Sequence, residues 1–311
     1  MFSGTFRVFD IHGHLPYPIH FINRNELTDQ YGRERSERMR LTWDFPKPVK
    51  VEEGTVTKPL IERWIDELDR YDIAGLNFLT AQDNDDLAQQ IKQFPDRFTG
   101  FAHHSIERED AAEELRRAVD ELGLRGYKLF GPLVNTPFHD PKLTPVWEFA
   151  ASRKLPILIH FGVLGHSGGI VEHQNINPLS IFNVAHAFPD IPFIIPHFGA
   201  GYFKELLQLC WSCPNVHVDT SGSNQWIRWM PYDLTLETLF RKTYELLGPK
   251  RIVFGTDSSN FPRGYAHRYL QDQVRVCRDI RLPESDIELI FGNNARRLLQ
   301  IQIENKREIK Q

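Results

Sequence analysis

Short apolar runs rich in Val, Ile and Phe alternate with longer stretches of helical period along the whole chain, eight times over. Parallel strands cannot be joined by a tight hairpin and need a crossover of a dozen or more residues, so this alternation specifies strand-helix units and a parallel sheet. Strands are predicted over residues 6–12, 75–80, 98–103, 126–130, 156–161, 192–197, 216–220 and 252–256. Helices are predicted over 58–71, 85–93, 109–122, 143–153, 178–187, 202–211, 235–247 and 266–280, with a last one over 284–299. The first helical stretch, KPLIERWIDELDRY, sets Leu60, Ile61, Trp64, Ile65 and Leu68 on one stripe and its charges elsewhere, as an amphipathic helix must. Eight such units in 311 residues fit one α/β domain, residues 1–311, better than two doubly wound sheets. The expected architecture is a single (β/α)8 barrel with an insertion after the first strand. That insertion, 20–57, has no clear period, carries Pro46 and Pro48, and is read as a lid or arm.

Composition narrows the partners. Lys and Arg number 37 against 41 Asp and Glu, a net charge of −4, so the basic footprint of a general nucleic-acid binder is missing. No run approaches the apolar length of a membrane span, and Arg7 and Asp10 interrupt any signal-peptide pattern, which makes a cytoplasmic protein the default. Three cysteines form no disulfide framework, and the Cys210-x-x-Cys213 pair reads as two small semi-buried residues at a helix end. Small molecules remain as the expected partners, with a homodimer left open.

The chemistry of such a barrel lies at the C-terminal ends of its strands. The first strand ends in Asp10-Ile-His12-Gly-His14, and strand alternation places Asp10, His12 and His14 on one face. His160 closes the fifth strand in LPILIHFG, His197 closes the sixth in IPFIIPHFG, and Asp257 follows the eighth in RIVFGTDSS. Four histidines and a carboxylate therefore meet at one rim. Imidazole nitrogen and carboxylate oxygen are the ligands of zinc and related divalent ions, and a catalytic site keeps one position open.

With these residues in place, the chain resembles the amidohydrolase superfamily and is most similar to its amidohydrolase-2 branch of metal-dependent TIM-barrel enzymes. The likeness runs from DIHGHLP through FPDRFTGF, the two HFG segments and FGTDSS to FGNNARRLL. The branch includes hydrolases, lactonases and non-oxidative decarboxylases of the aminocarboxymuconate-semialdehyde type. The resemblance implies that His12, His14, His160 and Asp257 hold one divalent ion, zinc first, with manganese, iron or cobalt as alternatives. It makes His197 catalytic in a one-metal site or a ligand in a two-metal site. Lys128, in RGYKLFGP on the fourth strand, would be a carboxylated bridge in the two-metal case; otherwise it pairs with a carboxylate or reaches solvent. Asp257 would serve as ligand and general base, and His197 would stabilise charge on the attacked carbonyl.

The first functional expectation is a hydrolase of an ester, lactone or amide bond in a small anionic substrate, using a metal-activated water. The alternative is a non-oxidative decarboxylase of an aromatic or enol-type acid, and the third reading is a metal-binding barrel without turnover. Some decarboxylases of the branch carry glutamate where this chain has His12, which weighs toward hydrolysis. For substrate contacts the candidates are His103, Trp226 and Arg228, since an aromatic wall with an arginine suits a ring bearing a carboxylate. His166 and His173, in the loop after the fifth strand, are read as solvent-exposed.

Overall fold

The computed structural model describes residues 6–17, 30–35, 37–38, 58–164 and 173–301. Nine parallel segments carry the sheet: β1 (Phe9–Gly13), β2 (Gly75–Phe78), β3 (Phe98–Gly100), β4 (Ala102–His103), β5 (Tyr127–Phe130), β6 (Ile157–His160), β7 (Phe193–Ile195), β8 (Val216–Asp219) and β9 (Ile252–Val253). They pair as β1-β2-β3 and as β4-β5-β6-β7-β8-β9. The third expected strand is the pair β3 and β4, divided at Phe101. There the backbone changes neighbours: the Phe101 N–H donates to Phe78 O (2.9 Å), and the Ala102 N–H donates to Gly126 O (2.8 Å). A Cβ at Gly126 would collide with the Phe101 ring, so the absent side chain makes room for the aromatic.

Hydrogen bonds also join the first strand to the last. Ile11 N–H donates to Phe254 O (3.1 Å), Asp257 N–H to His12 O (2.9 Å) and His14 N–H to Ser258 O (2.8 Å). Backbone pairing thus runs around the whole barrel. Eight strand positions and their intervening helices match the sequence expectation.

The helices form where apolar stripes and caps agree. Helix Leu60–Arg70 buries Ile61, Trp64 and Leu68. The Asp83 side chain caps Asn84–Ile91 by accepting the Asp86 N–H, and Thr235 caps Leu236–Leu247 by accepting the Thr238 N–H. Two expected helices are broken. The stretch 178–187 opens as a 3-10 turn, Pro178–Ile181, before Phe182–Ala187. The last expected helix is Glu284–Glu288, then a π turn Leu289–Asn293, then Asn294–Leu298. The widened turn coincides with external bonding: Ile290 O accepts the Phe254 N–H (2.9 Å), and Gly292 presses against the Arg7 carbonyl with no room for a Cβ.

Two apolar clusters divide the interior. The larger packs helices against the outside of the sheet. The smaller holds Phe9, Ile11, Leu79, Phe101, Leu158, Ile194 and Val253, contributed by strands all round the barrel, with Ala295, Leu298 and Leu299 of the final helix. Arg125, just ahead of β5, donates to Leu299 O (3.1 Å), so that helix covers the end where the strands begin. Polar chemistry is left to the other end. All three cysteines are free and buried, and burial pushes the Cys210 thiol up to about 12. No described helix is long and apolar enough to cross a membrane. Of the expected insertion 20–57, residues 30–35 and 37–38 are helical and the remainder lies outside the described residues.

Candidate metal centre

His12 is buried at 1% exposure and held from behind. Its Nδ1 lies 2.6 Å from Asp219 Oδ2 and 2.9 Å from Ser221 Oγ. The carboxylate accepts the Nδ1 proton, which leaves the Nε2 lone pair facing the barrel mouth. His14 is arranged in the same way: Nδ1 lies 2.8 Å from Thr80 Oγ1, whose hydroxyl donates to Leu15 O (3.3 Å). The two Nε2 atoms are 3.1 Å apart, and Asp257 Oδ1 lies 3.5 Å from the first and 3.2 Å from the second. Three ligand atoms converge, an arrangement that a divalent cation between them would satisfy once the imidazoles are deprotonated toward it. The ligand atoms of His12, His14 and Asp257 all lie within 4.8 Å of one another.

Protonation states fit the same reading. Burial holds the His12 imidazole well below its ordinary range, assisted by the charges of His14, His197 and Lys128 and opposed by Asp257. Burial likewise lowers His160. At Asp257 burial acts upward but is overcome by the His14 hydrogen bond and the charges of His12 and His197, so its carboxyl stays well below the usual range. Neutral imidazoles with an ionised carboxylate are the forms that bind a divalent ion. His160 lies outside the trio, but its Nε2 is buried with no hydrogen-bond partner and its ring centroid is 5.2 Å from that of His197. An uncommitted imidazole nitrogen beside three convergent ligands suits a fourth.

His197 reaches the rim through an unusual turn. His197, Phe198, Gly199, Ala200 and Gly201 have φ of 57°, 49°, 86°, 46° and 101°, five consecutive residues at positive φ. The turn brings Nδ1 to Ser221 O (3.1 Å) and Ser221 Oγ (3.0 Å) and the ring within 5.1 Å of His12. Asp257 also has a left-handed φ of 58°, and its side chain is 38% exposed.

Asp10 departs from the expected common face. The β1 to β2 register slips between Asp10 and Gly13, and Asp10 instead accepts from the His12 N–H (2.8 Å), Thr256 N–H (3.1 Å) and Thr256 Oγ1 (2.5 Å). It fixes the backbone on both sides of the metal trio. Burial raises it to about 7.

Lys128 does not pair with a carboxylate among the described residues. It is 1% exposed, and among the described residues its Nζ makes no ion pair or hydrogen bond. The nitrogen sits 4.4 Å from the centroid of the Phe130 ring, and burial lowers the amine to about 7 against the pull of Asp257 and Asp219. His103 lies beside it, in register with Lys128, its Nδ1 buried and unpartnered. His104 turns the other way, toward Tyr127 and Ala111 O.

Aromatic rings fill the space between this side and the trio. Tyr17 stacks on His14 (5.6 Å, 26°) and lies parallel to Phe130 (6.1 Å, 12°), while His103 stands edge-on to both. Trp226 is buried at 7% exposure within the core, its Nε1 donating to Asn224 Oδ1 (3.3 Å), and Arg228 is exposed on the turn Gln225–Trp229. His166 lies outside the described residues, and His173 Nδ1 accepts the Asn175 N–H. Asp219, Ser221, Thr80, Tyr17 and Phe130 were missed from the sequence. Asp219 and Phe130 end or nearly end expected strands, a position that could have flagged them; Tyr17 carries no such signal.

A family model described as amidohydrolase matches residues 9–301. Among curated proteins, a 2-amino-3-carboxymuconate-6-semialdehyde decarboxylase of Dictyostelium discoideum is 31% identical over 209 residues, 58% of this chain and 56% of that protein. The chain thus spans a little over half the length of that relative. A gamma-resorcylate decarboxylase of Rhizobium radiobacter is 22% identical over 271 residues, 70% of this chain and 75% of that protein. Among solved structures, a 5-carboxyvanillate decarboxylase of Novosphingobium aromaticivorans, complexed with manganese and 4-hydroxy-3-methoxy-5-nitrobenzoic acid, superposes with a TM-score of 0.64 at 16% identity. That match covers 97% of this chain and 98% of the other and bears on the fold. These relatives overturn the hydrolase expectation: the curated proteins aligned with this chain are named decarboxylases. The intact His12 had weighed toward hydrolysis, yet one histidine at that position does not choose between adding water and releasing carbon dioxide.

Proposed function

The chain belongs to the amidohydrolase family, and from that premise we propose that it is a non-oxidative decarboxylase of a small aromatic or enol-type carboxylic acid. The observation that carries the proposal is the pairing of a convergent His12, His14 and Asp257 trio with a wall of Tyr17, Phe130 and His103 beside it. A planar acid can lay its ring against the wall and its oxygens toward the trio.

One divalent ion fits the trio with His160 as fourth ligand, and when bound it supplies positive charge to hold the acid's oxygens and draw electrons from the breaking bond. The side chains do the rest. Asp219 and Thr80 fix the tautomers of His12 and His14. His197, tethered through Nδ1 to Ser221, leaves Nε2 for a substrate oxygen. In the reaction the bond from carbon to carboxylate breaks, carbon dioxide leaves, and a proton takes its place on the carbon. Asp257 is ionised at rest and partly exposed. An anionic substrate beside it offsets the surrounding positive field, so the carboxylate can take a proton and pass it to that carbon.

The test is a panel of ortho-hydroxylated benzoic acids and enol-type acids, followed by carbon dioxide release and by the decarboxylated product. Stoichiometric appearance of both supports the proposal. Protein carrying one ion per chain that releases carbon dioxide from no member of the panel overturns it. Elemental analysis of the same protein distinguishes zinc from manganese, and one ion from two.

A further inference from the structure

Lys128 is a polar side chain set into an apolar level of the barrel. Its register partner on β6 is Leu158, and Leu158 pairs in turn with Ile194 on β7, so an apolar layer surrounds the lysine stem. A leucine or methionine would satisfy packing at that level. A lysine there gives up hydration of its stem and part of its head with no ion pair among the described residues to compensate. The face of Phe130 at 4.4 Å offsets only part of this. His103, on the adjacent strand, presents a buried polar atom, Nδ1, with no partner. Two uncommitted groups on neighbouring strands, next to the Tyr17 and Phe130 rings, make a site that lacks its counterpart.

We propose that Lys128 Nζ, with His103 beside it, binds a second acidic oxygen of the substrate, so that the preferred acids carry two anionic groups on one planar frame. The inference rests on the decarboxylase reading and narrows its substrate class. One acidic group goes to His12, His14 and Asp257; the other, a carboxylate or phenolate across the ring, goes to Lys128. The amine donates N–H groups whether protonated or neutral, so its role holds in either form. Lys128 acts here as a specificity-determining residue.

The test compares isophthalate with benzoate as inert ligands of the metal-loaded full chain, by calorimetry. Wild-type protein is expected to bind isophthalate about thirtyfold more tightly, the scale of a hydrogen bond to a charged group. Lys128→Met is expected to abolish that gap while retaining metal content and circular dichroism, since methionine fills the same volume without a buried amine. Lys128→Arg, which keeps donors but changes reach, is expected to restore part of it. Equal wild-type affinity for the two acids overturns the proposal, and so does a gap that survives Lys128→Met. If wild-type protein discriminates through Lys128 but releases no carbon dioxide from any acid, the decarboxylase reading fails and the anion point stands. In turnover, the rise in KM on Lys128→Met is expected to be about thirtyfold larger for a diacid than for its monoacid counterpart.

Discussion

The two sides of the barrel mouth handle buried polarity in opposite ways. On the side of β1 and β8 every imidazole is backed: His12 by Asp219 and Ser221, His14 by Thr80, His197 by Ser221. On the side of β4 and β5 His103 Nδ1 is buried without a partner, and among the described residues Lys128 Nζ makes no ion pair or hydrogen bond; both lie against aromatic faces. Backing from behind leaves lone pairs at fixed positions, which is how a ligand set is prepared before its ion arrives. The unbacked side has nothing to hold its donors except what enters the mouth. One half of the site is thus complete within the chain, and in the proposal above the other is completed by substrate.

The largest test of this contrast removes a ligand. His12→Ala is expected to abolish stoichiometric metal binding and lower carbon dioxide release by at least about a thousandfold, read by elemental analysis and a coupled assay. Undiminished turnover would dissolve the distinction between the sides. A subtler change leaves the ligands and removes their backing: Asp219→Asn should weaken metal affinity by about 10- to 100-fold in chelator competition. Tyr17→Leu, on the other side, should leave metal affinity within twofold or so and raise KM about fivefold, through loss of an aromatic face.

The smallest expected effect is on stability with pH. Burial, with the Lys128 charge, lowers His103 from 6.5 to about 4, so the folded chain holds it neutral where the unfolded chain would protonate it. Stability therefore falls as pH drops from about 6.5 toward 4, by up to ~1.4 kcal/mol per pH unit for this one group, and the slope ends below about 4. His217, packed away from the mouth and lowered to about 4 by burial and the Arg297 charge, adds a slope of the same sign. His103→Gln should remove one proton's share of that slope in urea unfolding at pH 7, 6 and 5. An unchanged slope would mean that His103 is not held neutral by the fold.

What could be read from the chain before its structure follows the same division. His12, His14 and Asp257 were legible because strand ends place them by periodicity, and the alternation of strand and helix locates the ends. Their supports were less so. Asp219 bonds His12 across 207 residues, and although it nearly ends an expected strand, nothing in the sequence names His12 as its partner. Asp10 was assigned to the wrong face because a register slip in β1 breaks the period of two on which the assignment rested. The π turn at Leu289–Asn293 was not legible because a lone Gly292 is tolerated in a helix, while the bond from Phe254 to Ile290 O that coincides with the turn comes from far along the chain. Lys128 stood in view as a residue but not as an environment: whether a strand lysine reaches out or lies along the barrel depends on Phe130 and His103, which flank it.

The closure of the barrel bears on how the empty and loaded proteins breathe. Asp257 N–H donates to His12 O, so two of the three convergent ligands sit on opposite sides of the junction between the first and last strands and share a backbone bond across it. Filling the trio ties that junction together like a clasp. Amide hydrogen exchange at Asp257 and His14 should slow on metal loading by more than exchange at β6 or β7, because local opening at the junction must then also release the ion. The place where the chain closes its circle is also the place where its chemistry begins.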